Sequence, residues 1–84
     1  MTGQKTDQTV QAEIRSRVLE WIRESLEDPS VELTDNFLDV GGHSLAATRV
    51  NKQLEQHYGV RMSIQTLFES TVAEACDLAT PVSS

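Results

Sequence analysis

Apolar residues that recur every three or four positions constrain this chain more than any other feature of it. Val10, Ile14, Val18, Trp21, Ile22 and Leu26 mark one face of an amphipathic helix. Asp7 or Thr9 is placed to cap its start. Asp28-Pro29 stops it, because the residue before a proline is pushed out of helical geometry. Arg15, Arg17, Glu20, Arg23 and Glu24 fall on the other side and read as a solvated face. A second stripe, Ala47, Val50, Leu54 and Tyr58, ends at Gly59, which suits a left-handed C-cap. Ser63 is placed to cap a short turn through Leu67-Phe68. Thr71-Val72-Ala73-Glu74 has the form of a capping box and opens a last helix, with Val72, Ala75, Cys76 and Ala79 facing inward. No segment alternates with period two for long enough to make a strand. The fold class is all-α, with three main helices and one short one.

Between the first and second helices lies a long connection, from about Asp28 to His43. Loops of that length are uncommon in compact domains unless anchored or functional. Val31, Leu33, Phe37, Leu38 and Val40 would peg this one across the helices. Residues 1–9 are polar, contain Gly3 and read as a flexible tail; residues 80–84 read as another, leaving a domain at 10–79. Eighty-four residues make one domain. A chain this short seldom has room for both a core and the pre-formed pocket that an enzyme needs.

Thirteen acidic residues outweigh seven basic ones, for a net charge of −6. That balance disfavours nucleic acid and anionic membranes, and it favours positively charged protein partners through association rate. The single cysteine, Cys76, has no intramolecular partner, which suits a reducing cytoplasm. The polar start holds no signal peptide, and no apolar run approaches membrane-spanning length. The expectation is a soluble, cytoplasmic monomer.

One segment stands apart: Asp35-Asn36-Phe37-Leu38-Asp39-Val40-Gly41-Gly42-His43-Ser44-Leu45. Two glycines permit backbone angles and close approaches that other residues resist. They deliver Ser44 to the first turn of a helix, where free N–H groups and the helix dipole favour an anion. Ser44 could carry a phosphodiester there. On the residues alone a helix cap is the favoured reading, as most serines at such positions are caps. His43 beside it has no assignable acidic partner and no nucleophile-elbow pattern, so a catalytic role is not assigned. His57 reads as a favourable charge at a helix end, and Cys76 as a small core residue. His43, His57 and Cys76 lack metal-ligand spacing.

Gly41-Gly42-His43-Ser44-Leu45, preceded by Asp35-Asn36-Phe37 and Val40, resembles the core motif of peptidyl carrier (thiolation) domains of nonribosomal peptide synthetases. The likeness runs from about Val10 to Ala79. It includes the tryptophan-bearing first helix, the Leu67-Phe68-Glu69 turn and Ser70-Thr71-Val72-Ala73-Glu74. The resemblance implies an acyl-carrier-protein-like four-helix bundle that is not itself an enzyme. It implies 4′-phosphopantetheine, drawn from coenzyme A, joined covalently to Ser44, with Gly41, Gly42 and His43 shaping the approach. The arm's thiol would hold aminoacyl or peptidyl thioesters during secondary-metabolite synthesis. Implied partners are a phosphopantetheinyl transferase, an adenylation enzyme, and a condensation, tailoring or thioesterase enzyme. Val40 stands where the family usually has leucine. Ala75-Cys76 stands where a leucine-alanine pair is common, so the last helix packs less firmly unless Leu78 compensates.

Fatty-acid-type carriers place an acidic residue before the serine and an acidic helix after it. Here His43 precedes Ser44, and the following helix exposes Thr48, Arg49, Lys52 and Gln53. Leu45, turned from the interior, with Thr48, Arg49 and Lys52, forms the expected docking face; Phe68 reads as core. The Met1 start and short ends point to a free-standing carrier, although an excised synthetase domain given a start codon would look the same. A polyketide or aryl carrier and an unmodified helical adaptor are the alternatives.

Overall fold

The computed structural model describes the backbone of residues 2–82 and the side chains of residues 10–82. Four helices form: α1 (Thr2–Leu26), α2 (Ser44–Tyr58), α3 (Ile64–Glu69) and α4 (Val72–Asp77). Two are long and two short; the last helix is no longer than the one before it. A strand pair joins them, β1 (Val60–Arg61) antiparallel to β2 (Thr80–Pro81). Among the described residues no helix is long and apolar enough to cross a membrane.

The first two stripes meet in one core. Ile14, Val18, Trp21 and Ile22 of α1 bury against Ala46, Ala47, Val50 and Leu54 of α2. Val31 and Phe37 of the connection, Met62, Leu67, and Val72, Ala75 and Cys76 of α4 close it. Each fully buried aliphatic side chain contributes roughly 1.5–3 kcal/mol relative to exposure. Val10 is exposed, so the buried face of α1 begins one turn later, at Ile14.

Helix starts and stops follow side-chain chemistry. Ser63 accepts from the Thr66 N–H, and Thr71 and Glu74 form the reciprocal capping box. Gly59 closes α2 at φ 69°. The helix α1 instead ends on a Schellman pair of hydrogen bonds, Asp28 N–H to Arg23 O and Glu27 N–H to Glu24 O. Glu27 takes the left-handed position at φ 54°, so the stop lies one residue before Asp28-Pro29.

Several expectations change. The helical backbone of α1 begins at Thr2, through the stretch read as a tail. Nothing in residues 2–9 blocks propagation, since extending a helix adds one hydrogen bond per residue fixed and Gly3 alone costs only about 1 kcal/mol. Helical backbone runs through Asp7 and Thr9, so neither occupies the N-cap position expected of it. Residues 80–81 are paired in β2, and the Val82 N–H donates to Gly59 O. Two residues are too few to show an alternating pattern. Ser83 and Ser84 lie outside the described residues.

The polar face of α1 is also less free than its pattern implies. Arg15 pairs with Asp77, Arg23 Nε donates to Val31 O, and the Arg17 guanidinium lies 5.5 Å from the Trp21 ring centre. The Arg15 guanidinium holds the Asp77 carboxyl below the usual carboxylate range. A lowered folded value means that this contact stabilises the fold above the unfolded carboxyl's range and is lost as pH falls through the lowered value.

Asn51 is the one buried polar residue of the described core. Its Nδ2 donates to Met62 O and its Oδ1 accepts from Met62 N–H, both at 2.9 Å. This pair clips β1 to the middle of α2.

Because Glu27 is exposed and left-handed, replacing it by glycine relieves a backbone penalty without removing a buried contact. Glu27→Gly is expected to raise stability by about 0.5–1 kcal/mol, read as a higher urea midpoint at unchanged m-value.

Candidate functional site

The connection between α1 and α2 is built around Phe37, which is fully buried. Its ring stacks on Phe68 at 6.0 Å with the planes 7° apart. Asn36 ties this loop to the turn between α3 and α4. Its Nδ2 donates to Phe68 O and Ser70 O, both at 2.9 Å, and its Oδ1 accepts from the Asp39 N–H at 3.1 Å. Val72 N–H donates to Asp35 O, and Ala73 N–H to Leu33 O. The short helices therefore act as a clamp on the loop.

From Asn36 the chain makes a single helical turn and stops. Gly42 N–H donates to Phe37 O and Gly41 N–H to Leu38 O, with Gly41 left-handed at φ 94°. Gly42 has a different requirement: a Cβ there would lie 2.4 Å from the Phe37 ring. One glycine supplies a backbone angle and the other supplies room. Phe37 and Val31 are the deep pegs, with Leu33 and Val40 partly buried. Leu38, expected among them, is 48% exposed, because the turn points it outward two residues before the stop.

His43 is the N-cap of α2. Its Nδ1 accepts from the Ala46 N–H at 3.3 Å, and its carbonyl accepts from the Ala47 N–H at 3.0 Å. Accepting at Nδ1 assigns the ring proton to Nε2. With the cap supplied by His43, Ser44 is not the capping residue. It is the first residue of the helix, it is exposed, and its hydroxyl has no hydrogen-bond partner among the described residues. Neither the Ser44 nor the Leu45 N–H has a partner among them. An uncommitted hydroxyl thus stands beside two uncommitted donors at the positive end of a 15-residue helix.

Beyond Ser44, the residues Leu45, Thr48, Arg49 and Lys52 are all exposed, at the spacing of one helical face. Leu45 is 59% exposed, and Ala46, Ala47, Val50, Asn51 and Leu54 take the core side. Phe68 is half-buried against the core. The role of Asn36 was not assigned from its sequence, although an asparagine three residues before Asp39 is the pattern of a side chain bonding to the backbone ahead of it.

Cys76 is buried, and burial pushes its thiol up to about 12, with Asp77 adding in the same direction. It is a core residue with no thiolate to offer. His57 is exposed in the last turn of α2, 5.5 Å from the Trp21 ring. Leu78 is 63% exposed and so does not reinforce α4; Ala79, past the helix end, is partly buried.

Comparison with known proteins gives a family and a set of relatives. The family described as "Phosphopantetheine attachment site" matches residues 12–79. One polypeptide of the linear gramicidin synthase of Brevibacillus parabrevis is 44% identical over 45 residues, 54% of this chain and 1% of that protein. Nonribosomal peptide synthetase kk1B of Curvularia clavata is 43% identical over 54 residues, 64% of this chain and 0% of that protein to the nearest percent. A dimodular nonribosomal peptide synthase of Bacillus subtilis is 45% identical over 51 residues, 60% of this chain and 2% of that protein. The chain spans at most 2% of the length of these relatives. No solved structure matches it.

Gly42→Ala is expected to destabilise the fold by about 1–3 kcal/mol, since the new methyl overpacks a buried ring; urea denaturation followed by circular dichroism reads the loss. Cys76 is expected to stay unreactive to Ellman's reagent in the native state and to react fully once the chain is unfolded.

Proposed function

Because the chain belongs to the phosphopantetheine-attachment family, we propose that Ser44 carries the arm and that Gly41, Gly42 and His43 hold it in position to do so. Members of this family are carriers and not catalysts, and this one is related to the carrier domains of nonribosomal peptide synthetases. The observation that carries the proposal is the division of labour at the start of α2. His43 takes the cap, so Ser44 is left exposed with a hydroxyl committed to nothing.

Ser44 Oγ would join the phosphoryl end of the arm as the pyrophosphate bond of coenzyme A breaks, and the adenosine bisphosphate would leave. The N–H groups of Ser44 and Leu45 and the dipole of α2 favour a negative phosphodiester at that point. The bound arm supplies a terminal thiol that holds acyl groups as thioesters. Tethering raises the local concentration of cargo at each partner's site. Cys76 is buried and protonated, so it does not compete for that cargo.

In this reading the carrier unit is residues 10–79, acting as a cytoplasmic monomer, and the cargo is aminoacyl or peptidyl, as the names of the synthetase relatives suggest. The partners are a phosphopantetheinyl transferase, an adenylation enzyme, and a condensation, tailoring or thioesterase enzyme. They meet the face formed by Leu45, Thr48, Arg49 and Lys52. The free-standing reading expects the carrier to migrate at the mass of the single domain, and not of a longer synthetase, when detected by antibody in a lysate of its own host.

Intact mass measured before and after incubation with coenzyme A and a promiscuous phosphopantetheinyl transferase is the deciding experiment. One added phosphopantetheinyl group is expected in the parent and none in Ser44→Ala. No gain in a parent shown to be folded and helical would turn the reading to an unmodified adaptor.

A further inference from the structure

The chain is acidic overall, yet its positive charge is not spread evenly. Of its seven basic residues, Arg15 pairs with Asp77, Arg61 with Glu55, Arg23 donates to Val31 O and Arg17 stacks over Trp21. The side chain of Lys5 lies outside the described residues. Arg49 and Lys52 remain. Both are exposed, and neither makes an ion pair among the described residues.

They also stand together. Arg49 and Lys52 are three residues apart on α2 and line one groove of about 370 Å³ between α1 and α2. Trp21, Glu24 and Ser25 form its α1 side, and Gln53 continues the α2 side. Lys52 also borders a second groove of about 430 Å³, toward Arg61 and Ile64. In that second groove the other two charges, Glu55 and Arg61, neutralise each other. The exposed ridge of α2 is therefore a positive strip between two depressions, one to two turns from Ser44, on a molecule of net charge −6.

We infer that the segment of a partner protein that docks along α2 is acidic, and that its carboxylates enter the α1–α2 groove against Arg49 and Lys52. This rests on the carrier reading of α2 as the docking helix and adds the chemistry of what docks there. The attraction opposes the monopole of the carrier, so it acts at short range and sets orientation, while the long-range field governs approach. An acidic peptide segment fits better than a nucleic acid strand, whose continuous phosphate charge is repelled by the carboxylates around the strip. Those carboxylates include Glu24 in the groove itself.

The test is an NMR titration of the ¹⁵N-labelled chain with a 12-residue peptide bearing four glutamates. A lysine peptide and a 12-nucleotide single strand of DNA serve as parallel probes. Shifts from the glutamate peptide are expected at Arg49, Lys52, Gln53 and the Trp21 indole. The Arg49→Glu/Lys52→Glu double variant, checked for helicity by circular dichroism, is expected to bind that peptide about tenfold more weakly. Shifts centred elsewhere, binding unchanged in the double variant, or tighter binding of the lysine peptide or the DNA at α2 would each overturn the inference. Phosphopantetheine transfer to the parent, whose α2 face is intact, is read by mass and reports separately on Ser44. Failure of transfer counts against the carrier reading, whereas failure of the peptide titration counts against the acidic partner.

Discussion

Everything around Ser44 depends on the contact between the Phe37 ring and the backbone at Gly42. The ring is fully buried and stacked on Phe68, so it cannot give way, and the chain can pass it only without a Cβ. That close approach turns the loop from the core back to the surface within a few residues. The left-handed Gly41 ends the preceding turn, and His43 caps the next helix. A serine two residues past the close approach is then both firmly placed and exposed. Rigidity at the base and freedom at the tip come from one packing event.

Hydrogen bonding extends this logic to the small helices. Six residues each are too few for α3 or α4 to be stable alone, since isolated helices need about 12–15 residues. Caps at Ser63 and Thr71 and burial of Leu67, Val72, Ala75 and Cys76 hold them. In return their carbonyls accept both Asn36 donors, and the first N–H groups of α4 reach back to Asp35 and Leu33. The loop and the short helices thus order each other, and neither is explained by its local sequence.

Local chemistry was legible where it is local. The capping box at Thr71–Glu74, the cap at Ser63, the left-handed Gly59 and the stripes of α1 and α2 need only a few neighbouring residues to be recognised. The glycines at 41 and 42 were visible as necessary, and only the structure divides their roles. What the residues concealed depends on distant partners. Asn51 looks like a polar interruption of the α2 stripe until Met62 arrives to use both ends of its amide. Arg15 and Arg23 look solvated until Asp77 and the Val31 carbonyl meet them. Glu27 gives no sign of left-handed backbone, because the Schellman bonds and not the side chain demand it. The competition at the start of α2, histidine or serine as cap, could not be decided by type preference, since serine is the commoner cap.

The short strand pair has a mechanical consequence. Val82 is bonded to Gly59, so the backbone beyond β2 departs from the C-terminal end of α2. Ser44 sits at the other end of the same helix. Fifteen residues at about 1.5 Å each make that helix a strut of roughly 22 Å. Val82 is held at one end of the strut, and whatever hangs from Ser44 stands at the other. The helix therefore sets the separation between the strand pair and the serine, before any arm adds its own length.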